Sequence, residues 1–108
     1  VLLLGFSFKE DCPDTRNTRV IDVYRHLSSY GIEVSIYDPC VDTEDVKDRY
    51  GVKIDSELQA IEFDAVMLCV AHELFRSDQK SFFDLLSPEG FIFDLKGIFK
   101  RCERVVRL

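Results

Sequence analysis

Two continuous apolar runs, Val1–Gly5 and Ala65–Ala71, frame the chain. Neither alternates with polar residues, so each predicts a strand buried on both faces of a parallel sheet. Val20, Val23, Tyr24 and Leu27 recur at i, i+3, i+4 and i+7, with Arg19, Asp22 and Arg25 among them. That spacing predicts one amphipathic helix, stopped at Tyr30-Gly31. Glu33–Tyr37, closed by Asp38-Pro39, predicts the next strand, and connections this short imply a right-handed βαβ unit. Polar, acidic Thr43–Tyr50 predicts a short helix ended by Gly51, followed by a small strand at Val52–Ile54 and a short helix over Ser56–Ile61 begun by Asp55. After the second apolar run, Ser77 or Asp78 is expected to cap a helix reaching about Leu86 that buries Phe82, Phe83, Leu85 and Leu86. Ser87-Pro88-Glu89-Gly90 predicts a turn. Phe91–Phe93 then starts a strand ending in Asp94-Leu95-Lys96-Gly97, and Arg104–Leu108 predicts a last short one. This alternation predicts an α/β fold, a three-layer Rossmann-like domain whose doubly wound, mostly parallel sheet has about five or six strands.

The length of 108 residues and a hydrophobic fraction of 46% suit one domain with its own core. No apolar run approaches the ~20 residues of a membrane span and no signal-peptide pattern is present, so a cytoplasmic location is expected. The chain opens inside a predicted strand without an initiator methionine, which predicts a piece of a longer polypeptide. A net charge of −6 argues against a nucleic-acid surface, which needs lysine and arginine clusters, but leaves room for a small phosphorylated ligand in a local positive field. The cysteines at 12, 40, 69 and 102 lack metal-like spacing and are expected as free thiols. Cys69 belongs to an apolar run and predicts a core position. Cys12 and Cys40 fall in loops, and either is a candidate reactive thiol.

The densest polar stretch is Gly5-Phe6-Ser7-Phe8-Lys9-Glu10-Asp11-Cys12-Pro13-Asp14-Thr15-Arg16, between the first strand and the first helix. In an open α/β sheet, ligands bind at the carboxyl ends of strands, and Lys9 and Arg16 flank a position suited to a phosphate. Three more polar clusters, Asp38-Pro39, His72-Glu73 and Asp94 with Lys96, should share this edge if the sheet is parallel. The plainer reading makes Lys9 and Arg16 solvated cations neutralising Glu10, Asp11 and Asp14. It makes His72 a loop or capping residue, His26 an inert surface side chain and Phe82-Phe83 core. Neither G-x-G-x-x-G nor G-x-x-x-x-G-K-[ST] occurs, which argues against a complete dinucleotide site, and no metal-ligand cluster stands out.

Gly5-Phe6-Ser7-Phe8-Lys9 followed by Asp14-Thr15-Arg16-Asn17-Thr18, with Tyr37-Asp38-Pro39 and Phe93-Asp94-Leu95-Lys96-Gly97, resembles the C-terminal domain of UDP-glucose/GDP-mannose dehydrogenases over essentially the whole chain. The resemblance implies a share in an NAD-dependent oxidation of the C6 alcohol of a UDP-sugar to a carboxylate, with two NAD+ consumed per sugar, for surface polysaccharide synthesis. It implies that Phe8, Lys9 and Lys96 contact the UDP-sugar and that Arg16 reaches NAD, itself held mainly by an N-terminal domain. The partners implied are the N-terminal and central domains of the same polypeptide and, at full length, a homo-oligomer. Lysine at 96 replaces the arginine of many members, exchanging a planar fork for a point charge. The Asp-Leu-Lys-Gly form and the Cys12-Pro13-Asp14 context are similar to members that oxidise UDP-N-acetyl-hexosamines. The family's G-G-x-C nucleophile motif is absent, so no cysteine here takes its role and the isolated chain is expected to be inactive. Two other readings remain: a receiver-like phosphoacceptor domain, which requires an aspartate ending the third strand, and a stand-alone nucleotide-binding module.

Overall fold

The computed structural model describes residues 1–107. Nine elements follow in order: β1 Leu2–Leu4, α1 Val20–Ser29, β2 Ser35–Tyr37, α2 Thr43–Tyr50, β3 Phe63–Leu68, α3 Glu73–Ser77, α4 Gln79–Phe83, β4 Leu86–Asp94 and β5 Val105–Arg107. They build one five-stranded sheet of order β2-β1-β3-β4-β5 in which every pairing is parallel. Strand β1 sits between β2 and β3, with Leu3 opposite both Ile36 and Met67. Burial on both faces explains its unbroken apolar run. Leu3, Ile36 and Cys69 pack with Val20 and Ile21 of α1 and Val46 of α2. Leu2, Leu4, Val66 and Ile92 pack with Phe75 of α3, Phe82 of α4 and Phe99. The two clusters give the doubly wound, three-layer arrangement expected. Helix α2 has the predicted bounds, with the Asp42 side chain accepting from Glu44 and Asp45 N–H at its start.

Four expectations need correction. Val52 and Ile54 are buried but form no strand, and only an isolated bridge joins Asp55 to Tyr37. Ser56–Ile61 is not helical, and of its i, i+3 apolar pair Leu58 is only half-buried and Ile61 is exposed. The helix expected after Ser77 or Asp78 does start there, with Asp78 at the N-cap of α4, but it stops at Phe83 and Leu86 already belongs to β4; the five-residue α3 before it was not expected. Ser87–Gly90 is an excursion within β4: Phe63 pairs with Leu86 and Ala65 with Phe91, so four residues face the single Asp64. Such an insertion kinks a strand without ending it. Arg104 holds it by donating to the carbonyls of Ser87 (2.6 Å) and Gly90 (2.9 Å). The predicted last strand is present as Val105–Arg107, and Leu108 lies outside the described residues.

Candidate functional site

Parallel strands place all their carboxyl ends on one edge, and the loop after β1 is built there first. The amide of Gly5 donates to Tyr37 O (2.9 Å) at φ +94°. An added Cβ would lie 2.5 Å from Val70 Cβ, so the close approach of the loop after β3 requires glycine. The next two amides, Phe6 and Ser7, both donate to Asp38 Oδ2 (2.7 and 3.1 Å) from the end of β2. The Phe6 ring is buried edge-on against Tyr50, and Thr18 Oγ1 donates to Phe6 O (2.5 Å). Ser7 Oγ donates to Lys9 O (2.9 Å), and the Phe8 amide donates to Asp14 O (2.7 Å). The backbone is thus tied down while the Phe8 side chain projects, 55% exposed. Lys9 is also exposed and forms no ion pair among the described residues.

His72 closes the far end of this loop. Its Nδ1 accepts from the Asp11 amide (2.8 Å), and Asp11 Oδ1 in turn accepts from Glu73 N–H (2.9 Å). With Nδ1 engaged as an acceptor, the ring proton belongs on Nε2, which faces Asp38 Oδ2 (3.0 Å) and Ser7 Oγ (3.3 Å). Asp38 and His72 are both fully buried. Burial pushes the Asp38 carboxyl up, but hydrogen bonds from His72 and from the Phe6 and Cys40 amides outweigh it and hold the group below its usual range. Asp11, Cys40 and His72 bring oxygen, sulfur and nitrogen donors within 4.8 Å of one another. The Nδ1 lone pair is already aimed at the Asp11 amide, so this set is arranged for hydrogen bonding and not for metal ligation.

The loop after β4 is organised by a second buried carboxylate. Asp94 accepts from the amides of Lys96 (3.0 Å), Gly97 (2.7 Å) and Phe99 (2.8 Å), which leaves the Lys96 side chain exposed. Lys96 is near enough to Cys69 for its charge to offset part of the rise that burial gives that thiol, which is still pushed up to about 12. The strand ends carrying Lys9 and Lys96 are two inter-strand steps apart, roughly 10 Å. Arg16 pairs with Asp14 through Nε (3.1 Å) and Nη2 (3.1 Å), and lines a shallow cleft of about 300 Å³ with Pro13, Thr15, Asp45 and Arg49. A larger concavity of about 340 Å³ lies at the opposite edge of the sheet beside Val1, where Glu33, Glu62 and Asp64 make it unsuited to an anion.

Of the residues expected to act, the structure puts Phe8, Lys9 and Lys96 on the carboxyl edge with exposed side chains. The plainer reading holds for Arg16 in one respect, since it does neutralise Asp14. Cys69 is buried as expected, Cys12 and Cys40 are half-buried, and all four thiols are free. Burial and the charges of Asp38 and Asp11 push the Cys40 thiol up, which makes it a poor nucleophile. His72 does stand at the N-cap position of α3, but its ring makes no capping bond and joins three loops instead. Its signal exists only once the strand order is known: an acid just after β2 and a histidine in the loop between β3 and α3 meet because β2 and β3 flank β1. The receiver reading fails at β3, which ends at Leu68 and continues into buried Cys69, with no carboxylate at that place. No helix of the described residues is long and apolar enough to cross a membrane.

Residues 2–101 match the model of the UDP-glucose/GDP-mannose dehydrogenase family, UDP binding domain. The chain is 39% identical over its whole length to a UDP-N-acetyl-D-glucosamine 6-dehydrogenase of Salmonella typhi and 37% identical to one of Pseudomonas aeruginosa, and spans 26% of each. Among solved structures, the native UDP-N-acetyl-mannosamine dehydrogenase of Staphylococcus aureus superposes over 98% of this chain and 24% of its own length, with a TM-score of 0.74 and 25% identity. The chain therefore spans about a quarter of the curated relatives it matches, and it belongs to the UDP-glucose/GDP-mannose dehydrogenase family as a UDP binding domain.

Proposed function

We propose that this chain is the C-terminal, nucleotide-sugar-holding domain of an NAD-dependent UDP-sugar 6-dehydrogenase. The whole enzyme would oxidise a C6 alcohol to a carboxylate with two NAD+, acting in the cytoplasm as a homo-oligomer and feeding acidic surface polysaccharide synthesis. The observation that carries the reading is the rigid loop after β1: its backbone is bonded at Phe6, Ser7, Phe8 and Asp11, while Phe8 and Lys9 stay exposed beside the carboxyl ends of β1 and β3. A preorganised loop loses little entropy on binding. Lys9 brings a flexible point charge to phosphate or sugar oxygens, and Lys96 brings a second from the other side of β3. Phe8 supplies an apolar face to the same ligand. The names of the two bacterial relatives favour a UDP-N-acetyl-hexosamine as the sugar.

The residues of this chain do not by themselves fit a dinucleotide. No glycine fingerprint is present, and two nitrogens of Arg16, the one cation assigned to NAD, are committed to Asp14. NAD is accordingly assigned to the N-terminal part of the longer polypeptide, with Arg16 lending only its remaining donors across the interface. Without that part and without the nucleophile motif, the 108-residue chain is expected to bind UDP but to reduce no NAD+. The test is NAD+ reduction by the full-length polypeptide with UDP-N-acetylglucosamine, UDP-N-acetylmannosamine and UDP-glucose. Lys9→Ala should lower kcat/KM roughly tenfold to a hundredfold, the range of a hydrogen bond to a charged group. Unchanged kinetics would remove Lys9 from the site.

A further inference from the structure

We infer that His72 is the positioning residue for the Phe8-Lys9 loop, and that it acts as a two-ended hydrogen-bonded strut and not as an acid, a base or a metal ligand. The inference rests on the proposed ligand contacts of Phe8 and Lys9.

The exposed part of the loop, Phe8 to Glu10, hangs between two fixed ends. At one end the Phe6 and Ser7 amides sit on Asp38 Oδ2. At the other the Asp11 amide sits on His72 Nδ1, and Asp11 holds φ +55°, a left-handed corner that aspartate adopts more readily than most non-glycine residues. His72 joins the two ends, since Nε2 faces the carboxylate oxygen that holds Phe6 and Ser7. Ser7 Oγ lies 3.3 Å from the same nitrogen and also holds the Lys9 carbonyl at 2.9 Å, so both neighbours of the projecting segment trace back to one ring. The ring is 0% exposed and packs against Phe75 with a centroid separation of 5.3 Å. Phe75 and Ala71, both buried, bracket the ring in sequence, so its two nitrogens are held in place by the core.

This geometry separates the two nitrogens experimentally. In His72→Asn the amide oxygen can replace Nδ1 as acceptor for the Asp11 amide, and the link to Asp38 is lost. In His72→Gln the longer amide can replace the Nε2 donor to Asp38, and the acceptor for Asp11 is lost. Two readouts are taken on the 108-residue chain, which has its own two-sided core: hydrogen exchange at the Asp11 amide without ligand, and titration with UDP.

His72→Gln should lose protection at Asp11 and bind UDP about tenfold more weakly, the effect of one net hydrogen bond at most. His72→Asn should keep protection at Asp11 and, with only the Nε2 end of the strut cut, bind UDP about threefold more weakly than the parent, less of a loss than in His72→Gln even if it melts earlier. A structural role alone would make affinity follow melting temperature in both variants, and that outcome overturns the inference. So does loss of protection at Asp11 with unchanged UDP affinity. If neither variant folds, Ser7→Ala decides: it frees the Lys9 carbonyl and should weaken UDP binding severalfold, and unchanged binding overturns the inference. If the parent chain does not bind UDP, the proposed function fails, while exchange at Asp11 in the same variants still reports whether the strut orders the loop.

Discussion

Two buried aspartates shape the carboxyl edge by opposite means. Asp38, at the end of β2, receives the amides of Phe6 and Ser7 from a loop over thirty positions earlier and His72 Nε2 from a loop over thirty positions later; only the Cys40 amide is local. Asp94, at the end of β4, receives the amides of Lys96, Gly97 and Phe99, all within five residues. One carboxylate joins three loops across the sheet. The other folds the loop that follows it, and Arg107 of the neighbouring strand supplies the nearest cation, with Nε 3.9 Å from Asp94 Oδ2. Arg107 also donates to the Phe99 carbonyl (2.5 Å) and so pins the end of the Asp94 loop to β5. Each aspartate serves one exposed lysine of the proposed site, Lys9 in the first case and Lys96 in the second. The lysine at the central loop is therefore held by tertiary structure, and the one at the outer loop by local turn chemistry.

The largest expected effect is the difference between Asp38→Ala and Asp94→Ala. Asp38→Ala strands four donors, three of them in buried bonds, and should cost about 4 kcal/mol in urea unfolding. Asp94→Ala strands three, of which only the Phe99 amide lies in a buried bond, and should cost about 2 kcal/mol. Equal costs would mean that the tertiary junction is no more demanding than the local turn.

Acid should act next. The folded-state pKa of Asp38 lies below its ordinary 3.8, so the stability it contributes is complete above that value and is lost as pH falls through the lower, folded one. Urea midpoints measured downward from about pH 5 should therefore fall most steeply below pH 4. Asp38→Asn should flatten that part of the curve, because the group that takes up the proton is gone. A variant as steep as the parent would assign acid sensitivity to other carboxylates.

The same contrast decides what could be read from the chain. The Asp-Leu-Lys-Gly turn was legible because an acid two and three residues before amides it can reach, with glycine where the backbone turns left-handed, is a local pattern. Helices α1 and α2 were legible for the same reason, by spacing and by glycine stops. The junction at Asp38 and His72 was not, because nothing near either residue names its partner and the strand order must be known first. The excursion at Ser87–Gly90 misled because Pro88 and Gly90 mark a turn in any context, and the guanidinium that keeps it inside β4 comes from Arg104. Phe8, Lys9 and Lys96 were legible as candidates through family resemblance, whereas their support was legible only in three dimensions.

The smallest effect tests whether the outer loop is as local as it looks. Gly97 has φ +74°, and an added Cβ would meet only Arg107 Nη1 at 3.9 Å, an ordinary contact with the end of a flexible side chain. Gly97→Ala therefore carries a backbone penalty and almost no steric one, about 1 kcal/mol. Its amide, which donates to Asp94 at 2.7 Å, survives the change, so the loop should keep its shape and UDP affinity should stay within about twofold. A loss of stability larger than that of Asp94→Ala would show that the left-handed corner, and not the carboxylate, holds this loop. A loss of UDP affinity without a loss of stability would show instead that the Lys96 end of the site depends on the backbone position of its neighbour, as the Lys9 end depends on Asp11.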